Sequence, residues 1–338
     1  MRRGFGLILA GTVMLGAGGS TLALDWLKPC TDWTSRVPPG VRDPAKGYVF
    51  VAMGGCETVL AIDTRTHRVV AAQKAGDGAH GIAVPRPATA FVANRKDDTL
   101  SLLDFAAPRP VRTVTTGEYP LDVVTGGGGA VFVATWKGDT VEIYNAAGDR
   151  ARTIKGGDPT HFAVSPDGAT IFLAHWDENR VTAHEATTWR QLFAAPTGKK
   201  PVHLTVTPDG RFLYVTNFGS GDVTVIDIPA GKAVATIPVG GKKPLGLIAS
   251  GDGSRVLVAV MSAEMLVAID VASQTVSRKI KADGEPQHLA LARDGRTVYV
   301  TMPHQGRVDV LDAVDLEWRA RIETGPSPQQ IAPRYGNR

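Results

Sequence analysis

The sequence lacks the short motifs that mark the commonest catalytic and nucleotide-binding sites. It contains no HExxH motif, no serine in a GxSxG elbow, and no Lys-Ser/Thr pair after its four-glycine run at 126–129, which we interpret as a turn. Its 37 basic and 33 acidic residues leave a net charge of only +4, and no Lys/Arg cluster has interleaved aromatics. These absences argue against a zincin protease, an elbow-type serine hydrolase, a P-loop and a nucleic-acid interface.

Long apolar runs are also missing, because no stretch after residue 25 has the 18 or more apolar residues of a membrane span. At the N-terminus, Arg2 and Arg3 precede a short apolar run at 5–15 and small residues at 18–23. This pattern predicts an export signal over 1–23 and a periplasmic or secreted protein. The alternative, a membrane anchor, would need a longer run. The arginine pair also loosely matches a twin-arginine signal, so the export route stays open.

Cysteine is scarce, since only Cys30 and Cys56 are present. In an oxidising compartment the two are expected to form a disulfide. The alternative, a metal-binding or reactive thiol pair, lacks a CxxC spacing. Prolines and tryptophans are dense between the signal and the first repeat, so residues 24–47 are predicted to be an irregular extension rather than a blade.

What the sequence does contain is a unit of 39 to 43 residues that recurs seven times. Each copy has an alternating strand such as RFLYVTN, a polar loop, a second strand such as DVTVID, a third strand, and a turn leading to a fourth. Four short strands per unit of roughly 40 residues are typical of a β-propeller blade. A proline slot opens the fourth strand of each copy, at Ala79, Pro120, Pro159, Pro201, Pro244, Pro286 and Pro328.

The order of the strands predicts how the ring closes. The first copy begins at its second strand near residue 48, and the last copy ends on an unpaired first strand at 329–333. We therefore expect an all-β, seven-bladed propeller over 48–338, in which the C-terminal strand completes the first blade and hides the sheet edges.

The strings TPDG at 207–210, LYVTN at 213–217 and VTVID at 223–227 resemble the YVTN β-propeller repeat. The resemblance extends over about residues 47–333 and implies the same seven-bladed fold. It leaves the function open, because relatives include cytochrome d1-type propellers, which handle haem, and lactonase-like propellers. In the cytochrome d1 type, histidines on one face hold the macrocycle.

Equivalent positions of the repeat are expected to form a ring at one mouth of the central channel. Two residues after the proline slot are Gly81, Asp122, His161, His203, Gly246, His288 and Gln330. Imidazole is the commonest metal ligand and a natural axial ligand of haem iron. We therefore predict His161, His203, His288, His175 and His304 as candidate metal ligands. His80, Asp122, Trp136 and Trp176 join the first three of these as candidate cofactor-binding residues, with copper or a haem-type group as the guest.

Three functions stay open. The first is an exported binding or accessory protein that holds a metal, a haem-type cofactor or a redox partner at the mouth. The second is a platform for protein–protein interaction, in which the histidines only bond neighbouring backbone. The third is a lactonase- or lyase-like enzyme, which the single in-register carboxylate, Asp122, disfavours.

Overall fold

Alternating strands and glycine-marked turns fold this chain into seven antiparallel sheets of four strands each. The computed structural model describes residues 30–41, 47–86, 88–106 and 109–333. The predicted signal peptide lies outside them. The only described helices are α1 (Trp33–Arg36) and two short 3-10 turns, Gly127–Gly129 and Met261–Ala263. Within the described residues, no helix is long and apolar enough to cross a membrane.

The strands follow the repeat in chain order. They are β1 (Tyr48–Met53), β2 (Thr58–Asp63), β3 (Arg68–Lys74); β4 (Ala79–Arg86), β5 (Thr89–Asn94), β6 (Thr99–Asp104), β7 (Arg109–Thr115); β8 (Pro120–Thr125), β9 (Val131–Thr135), β10 (Thr140–Tyr144), β11 (Arg150–Lys155); β12 (Pro159–Val164), β13 (Thr170–His175), β14 (Arg180–Glu185), β15 (Gln191–Pro196); β16 (Pro201–Val206), β17 (Phe212–Asn217), β18 (Asp222–Asp227), β19 (Lys232–Pro238); β20 (Pro244–Ala249), β21 (Arg255–Val260), β22 (Met265–Asp270), β23 (Thr275–Lys281); β24 (Leu289–Leu291), β25 (Thr297–Met302), β26 (Arg307–Asp312), β27 (Trp318–Glu323) and β28 (Pro328–Pro333).

Blade one consists of β28, β1, β2 and β3, and blades two to seven are the successive groups of four from β4 to β27. Strand β28 pairs with β1, with Ala332 opposite Phe50 and Ile331 opposite Val51. The predicted closure of the ring by the C-terminal strand is thereby confirmed. Each blade is apolar on both faces because it packs between two neighbours, as where Phe50 of blade one meets Val92 and Leu103 of blade two.

The first strand of each blade is innermost, and these seven strands pack against one another around the central channel, for example β4 against β8 and β12 against β16. The turn before each innermost strand and the loop after each second strand therefore lie at the same mouth of the channel.

The described part of the extension, residues 30–41, crosses three blades. The predicted Cys30–Cys56 disulfide is confirmed, with Cα atoms 5.5 Å apart, and ties the extension to the loop after β1. The indole nitrogen of Trp33 donates to the carbonyl of Thr324 in blade seven at 2.7 Å. Further on, the carbonyl of Pro38 accepts from Ala72 on the outermost strand of blade one. The extension thus covers part of the outer edge of β3, whose backbone groups would otherwise stay unpaired.

Candidate functional site

The site is built at the start of the innermost strands, where the pairing is irregular. In β12 the register with β13 shifts between Pro159 and Phe162, and β4, β16 and β20 have the same shift after the proline slot. Such a bulge re-aims side chains that would alternate in a regular strand. Two consecutive residues of one strand, Thr160 and His161, consequently line the same cavity.

Four imidazoles from four blades meet in the channel. The ring centres of His161 and His203 are 3.8 Å apart, and those of His203 and His288 are 4.8 Å apart. His80 closes the group at 5.6 Å from His288 and 6.2 Å from His161. His80, His161 and His288 are only 5, 3 and 4 % exposed, and His203 is partly buried. We call these four side chains the imidazole cluster.

Burial keeps the imidazole cluster neutral. It is the main cause that lowers the pKa of all four side chains well below 6.5, and it takes that of His288 to about 3. The ring of His80 lies with Nδ1 2.8 Å from the carbonyl oxygen of Leu121. Because a carbonyl only accepts, Nδ1 must carry the proton, and Nε2 of His80 then has a free lone pair.

Several nitrogens of the imidazole cluster lack a hydrogen-bond partner in the described part of the protein. Among the described residues, no hydrogen-bond partner is found for either nitrogen of His161, for Nε2 of His203 or for Nδ1 of His288. Buried polar groups are nearly always hydrogen-bonded, and leaving one unpaired costs about 1–3 kcal/mol. Such a concentration of unpaired nitrogens is chemically suited to a guest that accepts electron pairs or donates hydrogen bonds.

Asp122 lies in β8, the innermost strand of blade three, which packs between the strands of His80 and His161, and both of its carboxylate oxygens are paired. Its Oδ2 accepts from the backbone N–H of Phe162, and its Oδ1 accepts from the amide nitrogen of Gln330, each at 2.9 Å. Burial raises the pKa of Asp122 to about 6, against the effect of these bonds. Gly81 packs closely against the backbone of Asp122, and only glycine fits there, because an added Cβ would come within 2.7 Å of the Asp122 Cα atom. The carboxylate of Asp122 therefore finds its hydrogen-bond partners within the protein.

Aromatic side chains form a continuous wall above the imidazole cluster. The ring centres of Tyr119 and Trp136 are 5.7 Å apart, those of Trp136 and Trp176 are 6.3 Å apart, and those of Trp176 and Phe218 are 5.6 Å apart. We call these four side chains the aromatic wall. The cavity that they border has a volume of about 620 Å³, and His80, His161 and His288 also line it, with Met261 and His304 on the far side.

Two predicted ligands lie apart from the imidazole cluster. His175 uses both ring nitrogens inside its own blade, with Nδ1 2.7 Å from the Gly157 carbonyl oxygen and Nε2 2.7 Å from the Thr182 hydroxyl. His304 lies at the rim, with Nε2 3.2 Å from a carboxylate oxygen of Glu285. Over the described part of the chain, no three His, Cys, Asp or Glu side chains are arranged to hold a metal ion.

Arg95 and Tyr119 line the cavity although the sequence analysis did not name them. Arg95 follows β5 at the same repeat position that Trp136 occupies after β9, so register alone would have found it. Tyr119 stands just before a proline slot in the left-handed region, at φ 58°. The geometry of that turn was not apparent in the sequence.

The seven four-stranded blades form a β-propeller made of sequence repeats, with a cavity at one mouth of its central channel. The chain belongs to the YNCE-like β-propeller family, whose model matches residues 131–333. The comparison with curated proteins finds no match.

Solved structures of the same fold include the hydrazine synthase of Kuenenia stuttgartiensis, with 17 % identity, a TM-score of 0.71, and coverage of 84 % of this chain and 97 % of the other. The dihydro-haem d1 dehydrogenase NirN, solved in complex with DHE, has 16 % identity, a TM-score of 0.67, and coverage of 90 % and 79 %. Apo AztD from Citrobacter koseri has 16 % identity, a TM-score of 0.67, and coverage of 85 % and 97 %. At these identities the similarity extends to the fold alone.

Proposed function

We propose that this chain is an exported binding protein whose channel mouth holds a haem-type guest. The observation that carries the proposal is the imidazole cluster, whose neutral, buried nitrogens have no hydrogen-bond partner among the described residues. Neutral imidazole is the form that ligates metal, because the lone pair is then free. The disulfide between Cys30 and Cys56 suits an oxidising compartment outside the cytoplasm.

The arrangement of the imidazoles favours a macrocycle over a bare metal ion. A bare copper or zinc ion would need three or four convergent ligands, and no such set occurs among the described residues. A haem-type group brings its own equatorial nitrogens and needs only one or two axial ligands from the protein. His80 is the best candidate for that role, because its Nδ1 bonds the Leu121 carbonyl and its Nε2 is left with a lone pair.

The size of the cavity also suits a haem-type guest. Its volume of about 620 Å³ lies within the range of about 300–1,000 Å³ that is usual for small-molecule sites. The aromatic wall offers apolar contact along one side, with its neighbouring rings inclined to one another by 65°, 67° and 40°. NirN, a dihydro-haem d1 dehydrogenase solved in complex with DHE, is a precedent for a ligand-binding protein of this fold. A redox protein would be the natural partner for delivery or electron exchange.

The test is a spectroscopic titration of the purified, ligand-free protein with haemin. We expect saturation at one equivalent with a shifted Soret band, and at least a tenfold loss of affinity in His80→Ala, because an axial ligand is removed. His67→Gln is the matched control, since His67 lies in the turn between β2 and β3, contacts the Tyr299 hydroxyl and does not line the cavity.

A parallel calorimetric titration with Cu²⁺ separates the alternatives. Stoichiometric copper binding without haemin binding would replace the haem proposal with a metal-carrier function. Binding of neither would overturn the cofactor function and leave the mouth as a docking face for a protein. Haemin binding of equal strength in His80→Ala and in wild type would remove His80 from the site.

A further inference from the structure

One charged side chain of the cavity, Arg95, has no ionic partner among the residues that the structure describes. Arg95 is partly buried, and its guanidinium carbon lies 6.0 Å from the ring centre of Tyr119. The neighbouring Lys96 forms an ion pair with Asp77 at 3.1 Å, but among the described residues no carboxylate pairs with Arg95. The adjacent Asp98 is already engaged, because its Oδ1 accepts from the backbone N–H of Tyr119.

Arg95 also acts on the imidazole cluster below it. After burial, its positive charge is the next cause that lowers the pKa of both His80 and His288. The guanidinium is therefore close enough to the floor of the cavity to disfavour a second positive charge there. A cation that is partly desolvated and has no counter-ion is costly unless a ligand supplies the negative charge.

We propose that Arg95 is the anion-binding residue of the mouth and pairs with a carboxylate of the guest. The inference rests on the proposed function, in that it assumes a guest bound against the aromatic wall. A guanidinium presents a planar fork that binds both oxygens of a carboxylate, and Tyr119 supports it from one side through a cation–π contact.

The position of Arg95 defines the shape of this guest. It stands at one end of the aromatic wall, next to Tyr119, and the wall continues through Trp136 to Trp176 and Phe218. A flat body that lies against the wall therefore has one edge at the guanidinium and one face over the imidazole cluster. The guest class is a planar aromatic or macrocyclic compound with at least one carboxylate at its edge.

The test compares ligands that differ only in that charge. Wild type, Arg95→Gln and Arg95→Lys are titrated with haemin and with haemin dimethyl ester, in which both carboxylates are esterified. A charge-assisted bond of this kind is worth about tenfold to a hundredfold in affinity. Wild type should prefer haemin to its ester by this factor, Arg95→Gln should lose the preference, and Arg95→Lys should retain part of it.

Lys96→Gln is the matched control, because it removes the same charge from the same loop but outside the cavity. It should keep the full preference for haemin. If it loses the preference as Arg95→Gln does, the effect is one of general charge and the inference is wrong. The inference is equally wrong if wild type binds acid and ester alike.

A second pair of probes contains no metal, so it tests the anion site without any contribution from ligation by His80. Binding of 2-naphthoate and 2-naphthamide is followed by quenching of tryptophan fluorescence, since Trp136 and Trp176 border the cavity. If haemin does not bind but naphthoate binds more tightly than naphthamide only when Arg95 is present, the haem proposal fails and the anion site stands. If haemin binds through His80 while neither pair shows a preference, the anion site fails and the proposed function stands. If no probe binds, both are overturned.

Discussion

Acidification below pH 6.5 is expected to destabilise the domain steeply, because the imidazole cluster is buried in the neutral form. Burial lowers the pKa of His80, His161 and His203 well below 6.5 and that of His288 to about 3. In the unfolded chain each imidazole takes up its proton near pH 6.5, at about the unperturbed value. Between the two pKa values the unfolded state binds more protons, so the free energy of unfolding falls as the pH falls.

The magnitude follows from the number of protons. Each imidazole that stays neutral on folding contributes about 1.4 kcal/mol per pH unit, and the four of the imidazole cluster contribute about 5 kcal/mol per pH unit. Burial also lowers the pKa of His175 and His184, which act in the same direction. Asp122 acts in the opposite direction, because its pKa of about 6 in the folded state lies above the ordinary 3.8. Its proton favours the folded state at low pH, so below pH 6 the imidazole cluster and Asp122 together give a net slope of about 4 kcal/mol per pH unit while the imidazoles stay neutral in the folded state. One pH unit on this slope removes a large part of the stability of a typical domain.

The assay is urea denaturation of the ligand-free protein at closely spaced pH values from 7.5 downwards. His161→Gln should reduce the slope by about 1.4 kcal/mol per pH unit, since one titrating group is lost. Asp122→Asn should steepen the slope between pH 6 and 4 by a similar amount, because the opposing proton is gone. A free energy of unfolding that stays constant from pH 7.5 to 5.5 would refute the assignment of neutral, buried imidazoles.

Three further predictions concern the frame around the site. Replacing both Cys30 and Cys56 by Ser should lower the free energy of unfolding by about 3 kcal/mol by the loop-closure model, and two reactive thiols in unreduced wild type would contradict the disulfide. Deleting residues 326–338 removes the strand that completes blade one, so the whole domain should melt earlier; an unchanged melting temperature would argue against closure by this strand. Gly246→Ala should cost about 1–3 kcal/mol, because the new Cβ would lie 2.3 Å from a backbone carbonyl oxygen of the next blade, whereas Gly55→Ala meets only an ordinary contact at 3.5 Å and should be neutral.

The fold could be predicted from sequence because each repeat marks its own strand ends. The turn at 207–210 places its glycine in the left-handed region, with Gly210 at φ 73°, and β17 begins two residues later. Tyr214 and Val225 then face each other across β17 and β18, in the register that the alternation of apolar residues requires. The closure followed from the same periodicity, since an unpaired strand at one terminus needs a partner at the other.

The site was less accessible to such reasoning, because register gives the position of a residue but not the direction of its side chain. His161, His203 and His288 share one repeat position, so their approach in the channel could be expected. His80 stands one place earlier, where a regular strand would turn it away, and the shift between Ala79 and Ile82 brings it to the others. Bulges of this kind depend on contacts between neighbouring blades, which a single sequence does not display.

The difference in hydrogen bonding between Asp122 and its neighbour His161 supports the proposal of a guest at the imidazole cluster. At Asp122, Gln330 donates to the carboxylate at 2.9 Å and accepts from the backbone N–H of Ile82 at 3.0 Å, so each polar atom involved has a partner within the protein. If the polar residues of the channel were only structural, each would be expected to be hydrogen-bonded within the protein in the same way, because the pseudo-symmetric strands offer equivalent backbone groups in every blade. His161, the residue before the Phe162 that bonds Asp122, instead leaves both of its nitrogens without a partner among the described residues. An apolar residue of similar size would avoid this desolvation cost, so a bound guest that pairs with these nitrogens would offset it.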